Sequence, residues 1–216
     1  HITPNETVDG IAYPELPETG EVPLVADCTS SFLTAPVDVA KFGVIYASAQ
    51  KNIGLAGLTV VIVREDLLER CRTELPAPFS YRRQVEEGSC VNTPPMLAIH
   101  MAGLVFDWIA GNGGLVAMAA ASQRKAARLY AAIDGSAGFY RAPVTPGHRS
   151  PINIRFDLAE TALTKVFLSE AEAAGLSNLR GHRQLGGIRA SLYNAMPEAG
   201  AVALAGFMAD FARRYG

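Results

Sequence analysis

The sequence predicts an α/β protein, with a mixed sheet in its first half and a smaller α+β unit after it. Three observations carry this. Pro23-Leu24-Val25-Ala26 is a short apolar run ending in Asp27, and Val44-Ile45-Tyr46 is a run of β-formers that leads through Ala47-Ser48-Ala49 to Gln50-Lys51. Leu58-Thr59-Val60-Val61-Ile62-Val63 is a dense β-branched run, and the turn before it, through Gly54 and Gly57, is too short for a crossover helix. That strand is therefore expected to run antiparallel to its predecessor, buried on both faces. Further on, Ile152, Ile154, Phe156 and Leu158 alternate with Asn153, Arg155 and Asp157, the pattern of a half-buried strand.

Taken in order, residues 1–20 are rich in Pro, Gly and Glu, and Thr3-Pro4-Asn5-Glu6-Thr7 reads as a turn with no core face. The Asp27, Lys51 and Leu58–Val63 strands follow. A short helix is expected at Glu65–Arg70 and an irregular loop over residues 72–90, which hold Pro76 and Pro78. Asn92-Thr93-Pro94-Pro95 reads as a helix start, with Thr93 able to cap and Pro94 tolerated in the first turn. This helix runs from Met96 to Ile109 and stops at Gly111-Asn112-Gly113-Gly114. His100 in it reads as a packed or interface residue, and Trp108, like Tyr46, as core.

A second helix, Leu115 to Ile133, sets Ala126, Leu129 and Ile133 on its inner side and Arg124, Lys125 and Arg128 elsewhere. After the alternating strand come a helix with Leu163, Val166 and Phe167 inward and a strand at Gly187–Leu192. The last helix is marked by Leu204, Phe207, Met208 and Phe211.

Composition bounds the function. The 216 residues are 49% hydrophobic, enough for a sizeable core, and the formal charge of −2 gives no bulk attraction to nucleic acid or an anionic membrane. No run of eighteen apolar residues and no signal-peptide pattern is present, which predicts a cytoplasmic location. Cys28, Cys71 and Cys90 lack metal-ligand spacing, so reduced thiols are expected, with Cys28 a small buried residue and no metal site.

The chemistry centres on Asp27 and Lys51. In an open α/β sheet ligands bind beyond the carboxyl ends of strands, where both charges fall. A lysine there can form a Schiff base, and pyridoxal phosphate sites pair such a lysine with an aspartate at the pyridine nitrogen. Taken alone, the pair reads as an ordinary strand-end salt bridge or two solvated charges, and more residues are needed to overturn that. Likewise Thr7 alone reads as a loop or capping hydroxyl, and Asn92-Thr93 as an ordinary helix start whose amides favour an anion. His182, Arg183 and Arg189 flank Gly186-Gly187 and suit a ligand bearing carboxylate and phosphate, though such arginines are also common as solvated or structural groups.

Six motifs in order, Thr3-Pro4-Asn5-Glu6-Thr7, Val25-Ala26-Asp27, Ala49-Gln50-Lys51-Asn52, Asn92-Thr93-Pro94-Pro95, Gly181-His182-Arg183 and Gly187-Ile188-Arg189-Ala190-Ser191, resemble the phosphoserine aminotransferases of the class V aminotransferase family. The resemblance implies pyridoxal-phosphate-dependent transferase fold type I, with residues 1–120 the later part of a large cofactor-binding domain and residues 121–216 the small domain. It also implies a longer family chain, with a segment ahead of the Pro-Asn-Glu-Thr motif.

By the same resemblance, Lys51 is the catalytic amine, and Thr7, Asp27, Gln50 and Lys51 bind pyridoxal 5′-phosphate. Asn92 and Thr93 reach the cofactor phosphate of a neighbouring subunit, which implies a homodimer. Arg189 takes the substrate α-carboxylate, and His182 and Arg183 its phosphate. The implied reaction is amino transfer between glutamate and 3-phosphohydroxypyruvate in serine biosynthesis, with a possible second use in vitamin B6 biosynthesis. Two other readings stay open: a non-catalytic fragment with an incomplete cofactor site, and another enzyme of the same fold. Gln50, where cysteine desulfurases usually carry histidine, and the Arg189 cluster argue against the second.

Overall fold

Thr3–Thr7, expected to be a turn without a core face, forms half of a hairpin: β1 (Asn5–Glu6) pairs antiparallel with β2 (Ile11–Ala12). Asn5 is buried, its Nδ2 donating to Asn153 Oδ1 at 2.9 Å while its Oδ1 accepts from Ser150 Oγ. Gly10 closes the turn at a φ of +73°, and a Cβ there would lie 2.6 Å from the Asn153 carbonyl, so this close approach needs glycine. The computed structural model describes residues 1–216 as two units, His1–Pro4 with Pro17–Gly114 and Asn5–Leu16 with Leu115–Gly216. The hairpin thus belongs with the second unit, and the later break falls at Gly114, where the sequence reading set 120.

The first unit is built on a mixed sheet of β3 (Val25–Asp27), β4 (Val44–Ser48) and β5 (Thr59–Val63), in that order. β3 and β4 are parallel with Asp27 opposite Tyr46, and β4 and β5 antiparallel with Ser48 opposite Thr59. On the outer side of β3, Ile2 adds a parallel bridge to Ala26. One face buries Leu24, Ala26, Ile45 and Ala47. β5 corrects the expectation of burial on both faces: it pairs with β4 alone and leaves Thr59 and Val61 exposed. Its β-branched residues set the strand conformation, while burial depends on neighbours the run itself does not specify.

α1 (Glu65–Leu68) follows, and then α2 (Tyr81–Glu86), where an irregular loop was expected. Ser80 caps α2 by accepting from Arg83 N, and the prolines lie ahead of it in a 3₁₀ turn at Ala77–Phe79. Arg82 donates to the Leu68 carbonyl at 3.0 Å, which ties α2 back to the end of α1. α3 (Met96–Gly111) starts after Pro95 with no side-chain cap, so Thr93 does not cap it and Pro94 lies outside its first turn. Its buried residues are the small or aliphatic Ala98, Ala102 and Ile109; Trp108 is exposed, contrary to the core position expected of it, and His100 is exposed on this chain and so outside its core. No single helix is long and apolar enough to cross a membrane.

In the second unit α4 (Gly114–Asp134) buries Met118, Ser122, Ala126, Leu129 and Ile133, and also Lys125, which the sequence had set apart from the inner side. Lys125 is 2% exposed, and its ammonium donates to the carbonyls of Leu192, Tyr193 and Met196 at 2.9–3.1 Å. The cation thus replaces hydration with three acceptors, and burial pushes its pKa down.

Four antiparallel strands follow in the order β6 (Tyr140–Arg141), β7 (Asn153–Leu158), β9 (Gly186–Ser191), β8 (Arg180–His182), with α5 (Leu163–Ala173) and α6 (Glu198–Tyr215) completing the unit. Ile154, Phe156 and Ile188 on the sheet meet Leu129 of α4, Phe167 of α5 and Met208 and Phe211 of α6 in one core. Phe207 is partly buried, and Val166 points outward, since α5 turns Phe167 and Ala171 to the core instead. Phe167 lies edge-on to Phe211 at 5.1 Å and to Phe156 at 5.9 Å. Phe167→Ala is expected to lower the unfolding free energy by about 3–5 kcal/mol, because removing a fully buried ring loses its burial and leaves a cavity in the core. Urea unfolding measures it, and a loss under about 1 kcal/mol would show that Phe167 is not central to the core.

Candidate active site

The carboxyl ends of β3 and β4 point the same way because the strands are parallel, and each continues into a loop that bears a charged residue. Asp27 ends β3 half-buried, and its Oδ1 accepts from Thr29 N at 2.9 Å, which orients the carboxylate. Lys51 is half-buried in the turn after β4, and Gln50 beside it is exposed. The two loops are joined: Cys28 N donates to Tyr46 O at 2.8 Å, Ser48 N to Thr29 Oγ1 at 3.2 Å, and the buried Asn52 Nδ2 to Ser30 O at 3.0 Å. Behind Lys51, Ala49 and Ile53 are buried, and a Cβ on Gly54 would touch the backbone of Ala102 at 3.4 Å. The Lys51 turn is therefore held on the same sheet end as Asp27 from two sides.

Tyr46, expected in the core, is only partly buried and stands beside Asp27 in the strand register. Partial burial and then the Asp27 carboxylate push the phenol's pKa up. Its hydroxyl is 3.0 Å from His1 Nε2, with the two rings stacked at 5.9 Å. The signal that could have found Tyr46 is parity: Val44, Tyr46 and Ser48 alternate with the buried Ile45 and Ala47, which puts Tyr46 on the half-open face. Asn92 and Thr93 are exposed on the segment ahead of α3, where Asn92 Nδ2 donates to Thr93 O at 3.2 Å.

In the second unit the structure brings Thr7 and Arg189 together: Arg189 Nη1 donates to the Thr7 carbonyl at 3.4 Å. Arg189 is half-buried on β9, while His182 ends the adjacent β8 and Arg183 is exposed in the hairpin joining them. His182 Nδ1 accepts from Gln184 N at 3.3 Å. A close approach shapes this hairpin, since a Cβ on Gly181 would collide with the Gly186 carbonyl.

In the first unit an amine and an oriented carboxylate share one sheet end, and in the second a guanidinium stands on β9. The model of the aminotransferase class-V family matches residues 1–204. The chain belongs to this family. It is 54% identical to the phosphoserine aminotransferase of Hahella chejuensis over 214 residues, which are 99% of the chain and 59% of that relative. The solved phosphoserine aminotransferase of Bacillus circulans subsp. alkalophilus superposes with a TM-score of 0.96 at 45% identity, covering 99% of the chain and 59% of that structure. A phosphoserine aminotransferase from Trichomonas vaginalis, solved with pyridoxal phosphate bound, gives 0.90 at 38% identity, covering 96% and 59%. The chain thus spans about three fifths of the length of these class V relatives, and its mixed sheet is part of their fold.

Proposed function

We propose that the protein to which this chain belongs transfers an amino group between phosphoserine and 2-oxoglutarate, using pyridoxal phosphate. The observation that carries the reading is the parallel β3–β4 pair, which sets Asp27 and the Lys51 turn at one sheet end. Kinship with phosphoserine aminotransferases supports the substrate.

The residues fit the cofactor chemically. When bound, pyridoxal phosphate supplies an electron sink that lets a Cα proton leave. Asp27, fixed by Thr29 N, would hold the cofactor's pyridine nitrogen protonated, and Lys51 Nζ would hold the cofactor and serve as base and acid for the Cα proton. Thr7 and Gln50 contact the cofactor, and Asn92 and Thr93 bind the phosphate of a neighbouring subunit's cofactor, so the working form is a homodimer. In this reading the first unit belongs to the large domain, the second is the small domain, and the enzyme is cytoplasmic.

Arg189 takes the α-carboxylate, and His182 with Arg183 the substrate phosphate. A charge-assisted hydrogen bond contributes about 1.5–3 kcal/mol, or about 10–100-fold in affinity. Arg189→Ala is therefore expected to raise KM for every amino-acid substrate by that factor, and Arg183→Ala to raise it for phosphoserine alone. Steady-state kinetics with phosphoserine and glutamate decide: equal loss for both in Arg183→Ala removes the phosphate assignment.

A further inference from the structure

The face of β7 and β9 opposite the aromatic core carries an unusual pairing. Arg155 and Arg189 are direct cross-strand partners, so two guanidinium groups stand side by side on one face, an arrangement that is unfavourable unless compensated. The compensation is uneven. Arg155 is largely buried, with a side chain 14% exposed, and it pairs with Asp9 at 3.8 Å and Asp157 at 3.4 Å. Arg189 donates to the neutral Thr7 carbonyl.

Both aspartates lie on elements that meet Arg189 or its strand. Asp157 is on β7, two residues beyond Arg155 and so diagonal to Arg189, and it packs against Gly187 on the same strand as Arg189. Asp9 is in the hairpin turn whose Thr7 carbonyl Arg189 touches, and Gly10 presses that turn onto β7, where a Cβ would be 3.3 Å from Arg155 Cβ. An anion in contact with Arg189 would compete with any incoming carboxylate for the same planar fork.

We propose that Arg155 is a positioning residue for substrate affinity: by engaging Asp9 and Asp157 it keeps both carboxylates off Arg189, whose guanidinium stays open to a substrate carboxylate. This rests on the reading of Arg189 as the carboxylate anchor.

The test is a mutant cycle on the full-length, cofactor-loaded protein. It is read as the dissociation constant of glutarate, a dicarboxylate with no amino group to transfer, by titration calorimetry, with circular dichroism to confirm folding. Arg155→Gln is expected to weaken glutarate about 10-fold, by freeing two acids to pair with Arg189. Adding Asp9→Asn and Asp157→Asn to Arg155→Gln is expected to restore affinity to within about 3-fold of the unsubstituted protein. The two asparagine changes without Arg155→Gln are expected to shift it less than 2-fold, because Arg155 already holds those acids.

If the triple variant binds no better than Arg155→Gln, the residue is only structural and the proposal fails. It fails too if the asparagine pair tightens binding equally with and without Arg155, which is the signature of bulk field alone. Arg189→Ala separates the two readings: unchanged glutarate binding there overturns the anchor assignment itself, whereas loss there with an additive cycle overturns only the role of Arg155.

Discussion

Lys51→Ala will leave the full-length protein without the visible absorbance of lysine-bound pyridoxal phosphate and with transamination at background. The chain has four lysines, and the fold disposes of the other three. Lys41 is exposed in a 3₁₀ turn, Lys165 is exposed on α5, and Lys125 is buried with its ammonium committed to three carbonyls. Lys51 alone is half-buried at the carboxyl end of the parallel pair, in a turn fixed through Asn52 and Gly54. In the proposed mechanism Lys51 both holds the cofactor and moves the Cα proton, so its loss removes both roles, of which the acid–base part alone is worth about 10²–10⁴-fold. Absorbance spectra and turnover of the variant measure this, and an unchanged spectrum in Lys51→Ala would eliminate the mechanism.

Asp27→Ala is expected to lower kcat/KM by about 10²–10³-fold, the order that removal of one preorganised electrostatic partner costs in other active sites. Its Oδ1 is held by Thr29 N, and Thr29 Oγ1 in turn holds Ser48 N, so the carboxylate is aimed by the same contacts that join the two loops. Asp27→Asn keeps the shape and loses the charge, so a similar loss there would assign the effect to the charge. The check is kcat/KM beside cofactor retention after dialysis. An Asp27→Ala enzyme within about threefold of the parent would exclude contact with the pyridine nitrogen.

Much of this was readable from single segments. Val44–Tyr46 is a run of β-formers and Ile152–Leu158 alternates with a period of two, and both form strands; Asp27 ends one apolar run, and Lys51 comes a short turn after another. Where the reading failed, a distant partner decided. Nothing around Lys125 announces the three carbonyls that receive it, and nothing in Thr3–Thr7 announces Asn153 and Ser150, which bury Asn5. Thr93 had the chemistry of a cap, yet α3 begins only after Pro95. Tyr46 was read as core from its type, although its strand parity turned it toward Asp27.

Local pattern was enough to place the strands β3, β4, β5, β7 and β9, the helices other than α2, and the charged residues at the strand ends, because periodicity and turn chemistry act over a few neighbouring residues. Long-range packing alone settles that β5 pairs on one side only, which cation is buried, and that Arg155 and Arg189 share a register across two strands. Such pairings join residues far apart in the chain, and local propensity carries no information about the partner that hydrogen bonding and burial select.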